Sequence, residues 1–267
     1  MSQYTHYRMF AEKLVKFGGE VALQDFQKQK FKTRWKADKS YVTQTDTTIE
    51  SKFRTMIATE FPEHAIFGEE YGGTLNSNQP TWVLDPLDGT TNFSHHIPLF
   101  CSMAALQIDN KIVAAAISSP IQGFIYSASL GDGATINGEP FPQLSNQQDL
   151  AKITLLADSG KSEKARADSY HFLSLYGNRF RSFRKFGCMI APLLYATHSK
   201  LDAVIIFGVD LYDIAGLSLI FHEAGYTTMG TSGKRWQQTE NSDFIVTTQL
   251  LQSKIESILV TFTESHL

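Results

Sequence analysis

The feature that most restricts this chain is a change of hydrophobic period near residue 65. Upstream, Phe10, Leu14, Phe17 and Val21 recur at spacings of four, three and four, which predicts an amphipathic helix beginning near Tyr7. Ile49, Phe53 and Met56 repeat the pattern behind Thr47-Thr48-Ile49-Glu50, a capping-box pattern that predicts a second helix starting near Asp46 and ended by Pro62. Downstream, short runs rich in β-formers follow at Ala65–Phe67, Thr81–Leu84, Phe100–Ile108, Lys111–Ser118 and Gly123–Ser129, with Asp109-Asn110 as a two-residue hairpin turn. Helices that precede a run of hairpin-linked strands predict a layered α/β or α+β architecture.

The polar stretch Gln143–Asp149, after a loop marked by Asn137-Gly138, Pro140 and Pro142, predicts a lobe boundary that divides the chain into 1–145 and 146–267. Beyond it, strands at Ile153–Ala157 and Arg179–Phe186 flank a helix over Lys161–Tyr176. A helix at Ala191–Ser199 and a strand at Ala203–Phe207 follow, and then a helical stripe of Ile214, Leu217, Ile220, Phe221 and Ala224, closed by Gly225. With 42% hydrophobic and 19% charged residues over 267 positions, the chain can bury a sizeable core.

Composition excludes several functions. Lys plus Arg (24) against Asp plus Glu (27) leaves a net charge of −3, without the basic excess that a nucleic-acid partner demands. No window approaches the roughly 18 apolar residues of a membrane span, so no membrane partner is expected. Cys101 and Cys188 lack metal-ligand spacing and read as buried free thiols, which suits a reducing, cytoplasmic location.

The chemistry concentrates in Trp82-Val83-Leu84-Asp85-Pro86-Leu87-Asp88-Gly89-Thr90-Thr91-Asn92-Phe93. An apolar strand here delivers two carboxylates at its end. Pro86 removes a backbone donor and Gly89 permits a tight turn, so Asp85 and Asp88 can converge while the amides of Gly89, Thr90 and Thr91 face outward. Hard divalent cations take carboxylate and carbonyl oxygen, and a neighbouring phosphate takes backbone amides. On spacing alone the same string also fits a surface turn with solvated carboxylates. Asp213 likewise reads as the N-cap of the late helix, and Glu69-Glu70 as a solvated pair.

Gly68-Glu69-Glu70, the Asp85–Phe93 string, and Tyr212-Asp213-Ile214-Ala215 followed by Glu223-Ala224-Gly225 resemble the ordered motifs of the inositol monophosphatase superfamily. Val42-Thr43-Gln44-Thr45-Asp46 and Arg184-Lys185-Phe186-Gly187-Cys188 extend the likeness over residues 7 to 250. The resemblance implies a magnesium-dependent, lithium-sensitive phosphomonoesterase, a five-layer αβαβα sandwich and a homodimer. It assigns Glu69, Asp85 and the Leu87 carbonyl to one Mg²⁺, and Asp85, Asp88 and Asp213 to a second, with Asp85 as the bridge. Relatives also describe a weak third ion near Glu69. The catalytic set would be Thr90, Asp46 and Glu69, with Thr90, hydrogen-bonded to Asp46, orienting and deprotonating the attacking water. Gly89, Thr90, Thr91, Gly187, Cys188, Met189, Ile206 and Asp213 would contact phosphate or substrate.

The charges suit that reading. A phosphate monoester near neutral pH carries close to two negative charges, and two Mg²⁺ offset the carboxylates that would repel it. Inositol 1-phosphate is the leading substrate. Histidinol phosphate comes next, on the spacing from Lys36 to Asp46, followed by sugar bisphosphates and 3′-phosphoadenosine phosphates. Lys36 reads either as an approach to the metal site or as part of a solvated loop, and His95-His96 as rim or surface residues. Ile206 stands where relatives carry a substrate-contacting Glu, seven residues before the last metal-binding Asp; Asp210 is the neighbour able to compensate.

Overall fold

In the computed structural model, the structure describes residues 2–29, 32–35, 41–75, 78–231, 236 and 242–264. Lys36 and its neighbours through residue 40 lie outside the described residues. The chain divides into two compact units: Met1–Phe141 with Cys188–Ile190 and Tyr212–Glu223, and Pro142–Gly187 with Ala191–Leu211 and Ala224–Leu267.

The first unit opens with helix α1 (Thr5–Lys28) and a small hairpin of β1 (Thr33–Trp35) and β2 (Tyr41–Thr43), followed by α2 (Gln44–Glu60). Then come β3 (Ala65–Gly68), β4 (Gly72–Gly73), β5 (Thr81–Asp88) and the short α3 (Thr90–Ser94). Strands β6 (Cys101–Ile108), β7 (Lys111–Ser119), β8 (Phe124–Ser129), β9 (Ala134–Ile136) and β10 (Glu139–Pro140) complete the unit's sheet. Its order is β10-β9-β8-β7-β6-β5-β3-β4, antiparallel except for the parallel pair β3/β5. All eight residues of β5 are buried, as a strand covered on both faces requires. On one face α1 comes so near that a Cβ on Gly18 would lie 2.3 Å from Ser102 Oγ. On the other, the helix Leu211–Glu223 presents Gly216 to Met103 and Ile117. Ser102 and Met103 are consecutive, so the period-two alternation of β6 serves both helices.

The second unit contains β11 (Thr154–Ser159), α4 (Glu163–Tyr176), β12 (Ser182–Arg184) and most of α5 (Ile190–Thr197). After β13 (Ala203–Val209) the chain passes through α6 (Leu211–Glu223) before β14 (Thr227–Met229), β15 (Ser242–Thr247) and α7 (Gln252–Glu264). Its five strands run β12-β11-β13-β15-β14, with β11 parallel to β12 and β13 and the β15 pairings antiparallel. Phe172 and Tyr176 of α4 meet Phe262 of α7 and Phe207 of β13 in one aromatic cluster.

Several expectations hold. Asp109 and Asn110 both have positive φ, 48° and 57°, the two-residue turn that matches strand twist. Others need correction. The helix α2 starts at Gln44, within two residues of the expected start near Asp46, but its capping box is Thr43 with Asp46; Thr47 instead donates to the Gln44 carbonyl. The strand expected over Arg179–Phe186 shrinks to Ser182–Arg184, because Gly177–Arg179 closes into a 3-10 turn and the backbone amides of Phe186 and Gly187 turn toward Asp158. Asp213 is in the first turn of α6, two residues inside Leu211, and is not its N-cap. Asn137 and Gly138, read as a loop, form a second tight turn between β9 and β10.

Candidate functional site

The site begins as an irregularity in β5. Asp85 pairs with Met103 and Asp88 with Cys101, so three steps on β5 match two on β6. The extra residue falls at Pro86-Leu87, where proline cannot donate to the ladder. In a regular strand, residues three apart face opposite sides; the bulge returns Asp88 to the side of Asp85. Asp85 Oδ1 accepts the Leu87 amide at 3.1 Å, which fixes the bend. Asp213 joins them from the first turn of α6, and one oxygen from each of Asp85, Asp88 and Asp213 lies within 4.8 Å of the others.

Directly after the bulge, Gly89 takes φ 82° and opens α3. Only glycine fits, on conformation and on space: a Cβ would sit 2.9 Å from the Leu99 carbonyl and 3.0 Å from Cys188 Sγ. Thr90 Oγ1 lies 3.0 Å from Asp46 Oδ1 and 2.9 Å from the Leu87 carbonyl oxygen, acceptors between which its proton is held. Asp46 is fully buried in the first turn of α2 and accepts the Thr43 amide at 2.9 Å together with the Thr43 hydroxyl. Burial pushes its carboxyl up to about 6, with the Glu69 charge adding and the Thr43 and Thr90 hydrogen bonds opposing.

Asp88 is clamped through Oδ2, which accepts the Met189 amide at 2.6 Å and the Cys188 thiol at 2.8 Å, with Cys101 Sγ at 3.4 Å. Burial raises it to about 6 as well, against those three hydrogen bonds. The thiols move the same way: burial pushes Cys188 up to about 12, with Asp88 adding, and holds Cys101 well above its usual range. Both are free and buried.

Glu69 follows β3 and donates its amide to the Leu84 carbonyl at 3.1 Å; its charge is felt at both Asp46 and Asp88. What shapes its turn is Glu50, a residue that sequence reasoning used only as a capping-box partner. Glu50 is fully buried on α2 and accepts the amides of Glu70 at 2.7 Å and Tyr71 at 3.2 Å while pairing with Arg54 at 2.8 Å. A carboxylate next to Ile49 and Phe53 on one buried helix face was the available signal.

Asp46, Glu69, Asp85, Leu87, Asp88, Gly89, Thr90, Cys188, Met189 and Asp213 all lie in the first unit, as does Thr91, which is exposed. Gly187 and Ile206 belong to the second. The Gly187 amide donates to Asp158 Oδ2 at 2.7 Å, and Ile206, 1% exposed, pairs with Asp158 and Phe244 within the sheet. His96 stacks on Phe26 at 4.2 Å, while His95 approaches the Thr91 carbonyl at 2.9 Å on the surface. The converged carboxylate oxygens of Asp85, Asp88 and Asp213 are a donor set suited to a hard divalent cation. Among the described residues, no helix is long and apolar enough to cross a membrane.

Residues 3–264 match the model of the inositol monophosphatase family. An inositol monophosphatase of Dictyostelium discoideum is 30% identical over 233 residues, covering 85% of each chain. The Nus factor SuhB of Pseudomonas aeruginosa is 32% identical over 197 residues, covering 70% of this chain and 71% of that protein. Among solved structures, the extragenic suppressor protein suhB of Bartonella henselae superposes with a TM-score of 0.83 at 23% identity, over 96% of this chain and 98% of that one. The mixed α/β fold is therefore shared with these proteins.

Proposed function

The chain belongs to the inositol monophosphatase family, and from that membership we propose a Mg²⁺-dependent phosphomonoesterase that hydrolyses a small phosphorylated metabolite, with inositol 1-phosphate as the leading substrate. The observation that carries the reading is the convergence of Asp85, Asp88 and Asp213 beside the Thr90–Asp46 pair. Asp85, Asp88 and Asp213, with Glu69 and the Leu87 carbonyl, would hold two Mg²⁺, and a third would sit near Glu69. When bound, Mg²⁺ supplies the charge that offsets a phosphate dianion and makes water acidic enough to attack it.

The protein's own groups manage the proton. Thr90 Oγ1 takes a proton from the attacking water as it passes its own to Asp46 Oδ1. An acceptor at about 6 suits this work near neutral pH, being mostly ionised yet basic enough to take the proton. The clamp on Asp88 Oδ2 holds that carboxylate still, so little reorganisation accompanies turnover. The amides of Gly89 and Thr90 would receive the phosphate. The relative named inositol monophosphatase supports the substrate, and Ile206, where the family carries a polar contact, keeps histidinol phosphate, sugar bisphosphates and 3′-phosphoadenosine phosphates in the comparison. A homodimer in the cytoplasm completes the reading.

The relative named a Nus factor raises a non-catalytic role. The presence of Glu69, Asp85, Asp88, Asp213 and Thr90 together favours catalysis. Phosphate release from these four substrate types, with Mg²⁺ and with EDTA, tests the reading. A metal-dependent preference of at least about tenfold, ~1.4 kcal/mol in transition-state binding, identifies the substrate. No release from any ester with Mg²⁺ present overturns the enzyme and leaves the non-catalytic role.

A further inference from the structure

Phosphoryl transfer as proposed uses the carboxylate of Asp88, and the thiols beside it do no more than donate hydrogen bonds to that carboxylate. Cys101 is held opposite Asp88 by strand register, and Cys188 by the clamp in which the next residue's amide binds the same oxygen. One atom each from Asp88, Cys101 and Cys188 lies within 4.8 Å of the others. Two sulfurs and a carboxylate oxygen form a soft donor set, which Mg²⁺ does not favour and Zn²⁺ or Cd²⁺ does.

We propose that Asp88, Cys101 and Cys188 form an inhibitory site for a thiophilic divalent cation, overlapping the Mg²⁺ site at Asp88. Metal–sulfur bonds of about 2.3 Å and metal–oxygen bonds of about 2.1 Å place tetrahedral donors about 3.6–3.8 Å apart. The sulfurs are 2.8 and 3.4 Å from Asp88 Oδ2, so each shifts outward by less than about 1 Å to admit the ion. Both thiols release their protons to solvent on coordination, and a water takes the fourth position. Asp85 and Asp213 concentrate cations next to Asp88 and thereby favour delivery. Once the ion is held by sulfur, Asp88 is withdrawn from Mg²⁺; Mg²⁺ competes only through that shared carboxylate and raises the inhibitory midpoint, and a strong chelator restores turnover. Binding stands independently of the phosphatase reading; only the effect on turnover rests on it.

The test titrates Cd²⁺ into the reduced full-length protein with Mg²⁺ present, reading the cadmium–thiolate charge-transfer absorbance alongside phosphate release. Wild type should show a band that saturates at one equivalent, with turnover lost at the same midpoint. Cys101→Ser should weaken both by at least about tenfold, each variant judged against its own rate with Mg²⁺ alone. Cys101→Ser with Cys188→Ser should abolish the band. Serine keeps a hydroxyl donor toward Asp88, and circular dichroism reports folding; if the double variant does not fold, the weakened Cys101→Ser band decides. No band in wild type, or midpoints unchanged in Cys101→Ser, overturns the site in favour of a cation acting at the carboxylates alone. A band with turnover intact overturns the inhibition, and a normal band on a protein that hydrolyses no ester supports the site while counting against the phosphatase.

Discussion

Removing the Glu50 carboxylate should loosen the turn that carries Glu69 more than any change on the surface of α2. In Glu50→Ala the amides of Glu70 and Tyr71 lose their acceptor, and Arg54 loses its partner at 2.8 Å, all around a position with no solvent exposure. A hydrogen bond to a charged group contributes about 1.5–3 kcal/mol, and breaking one side of a buried pair costs about 3–5 kcal/mol. Arg54 can turn partly toward water, its side chain being 27% exposed, so the lower end, ~3 kcal/mol, is expected. Set against a typical stability of about 5–15 kcal/mol, that leaves a folded protein. Denaturant titration measures the loss. The Mg²⁺ concentration for half-maximal turnover, taken where the variant is fully folded, should rise because Glu69 sits between Gly68 and the released amides. Glu50→Gln retains one acceptor oxygen and should lose less. A loss below about 1 kcal/mol with unchanged Mg²⁺ dependence would refute the reasoning.

Asp85→Asn should remove Mg²⁺-dependent phosphate release while circular dichroism shows the fold intact; retained activity with the same Mg²⁺ dependence excludes Asp85 as a ligand. Thr90→Ala should slow kcat by about 10²–10⁴-fold with KM little changed, and Thr90→Ser should recover most of it; a change confined to KM removes Thr90 from proton transfer. In EDTA, stability should rise as pH falls from about 6 toward 3.8, because Asp46 and Asp88, both raised from 3.8 to about 6, bind protons more tightly folded than unfolded. Saturating Mg²⁺ should flatten or reverse that slope by holding Asp88 ionised. Thermal midpoints that fall over the same window in EDTA would contradict the burial of these two acids.

Local patterns reveal local structure. The apolar spacing of Phe10 to Val21 and the short runs of β-formers from Ala65 to Ser129 anticipate α1 and the β3, β5, β6, β7 and β8 strands, since both signals are carried by residues close in the chain. Where two local solutions are equally good, sequence does not choose. Thr47 with Glu50 and Thr43 with Asp46 have the same spacing, and the second is the box because Glu50 is engaged by a turn twenty residues later. The sequence reading also left the last two strands and α7 unassigned, although Ile255, Ile258, Leu259 and Phe262 of α7 recur at helical spacing and carried the signal.

By itself the sequence determined that two carboxylates end one buried strand, that a glycine follows them and that a third carboxylate lies early in a late helix. Tertiary structure decided which of these meet and what stands behind them. A single bulged residue at Pro86-Leu87 sets the side on which Asp88 emerges, and strand register sets Cys101 opposite it. Cys188, far away in the chain, arrives through the clamp on Asp88 Oδ2. Such convergence depends on pairing between distant segments, which residue spacing along the chain does not encode.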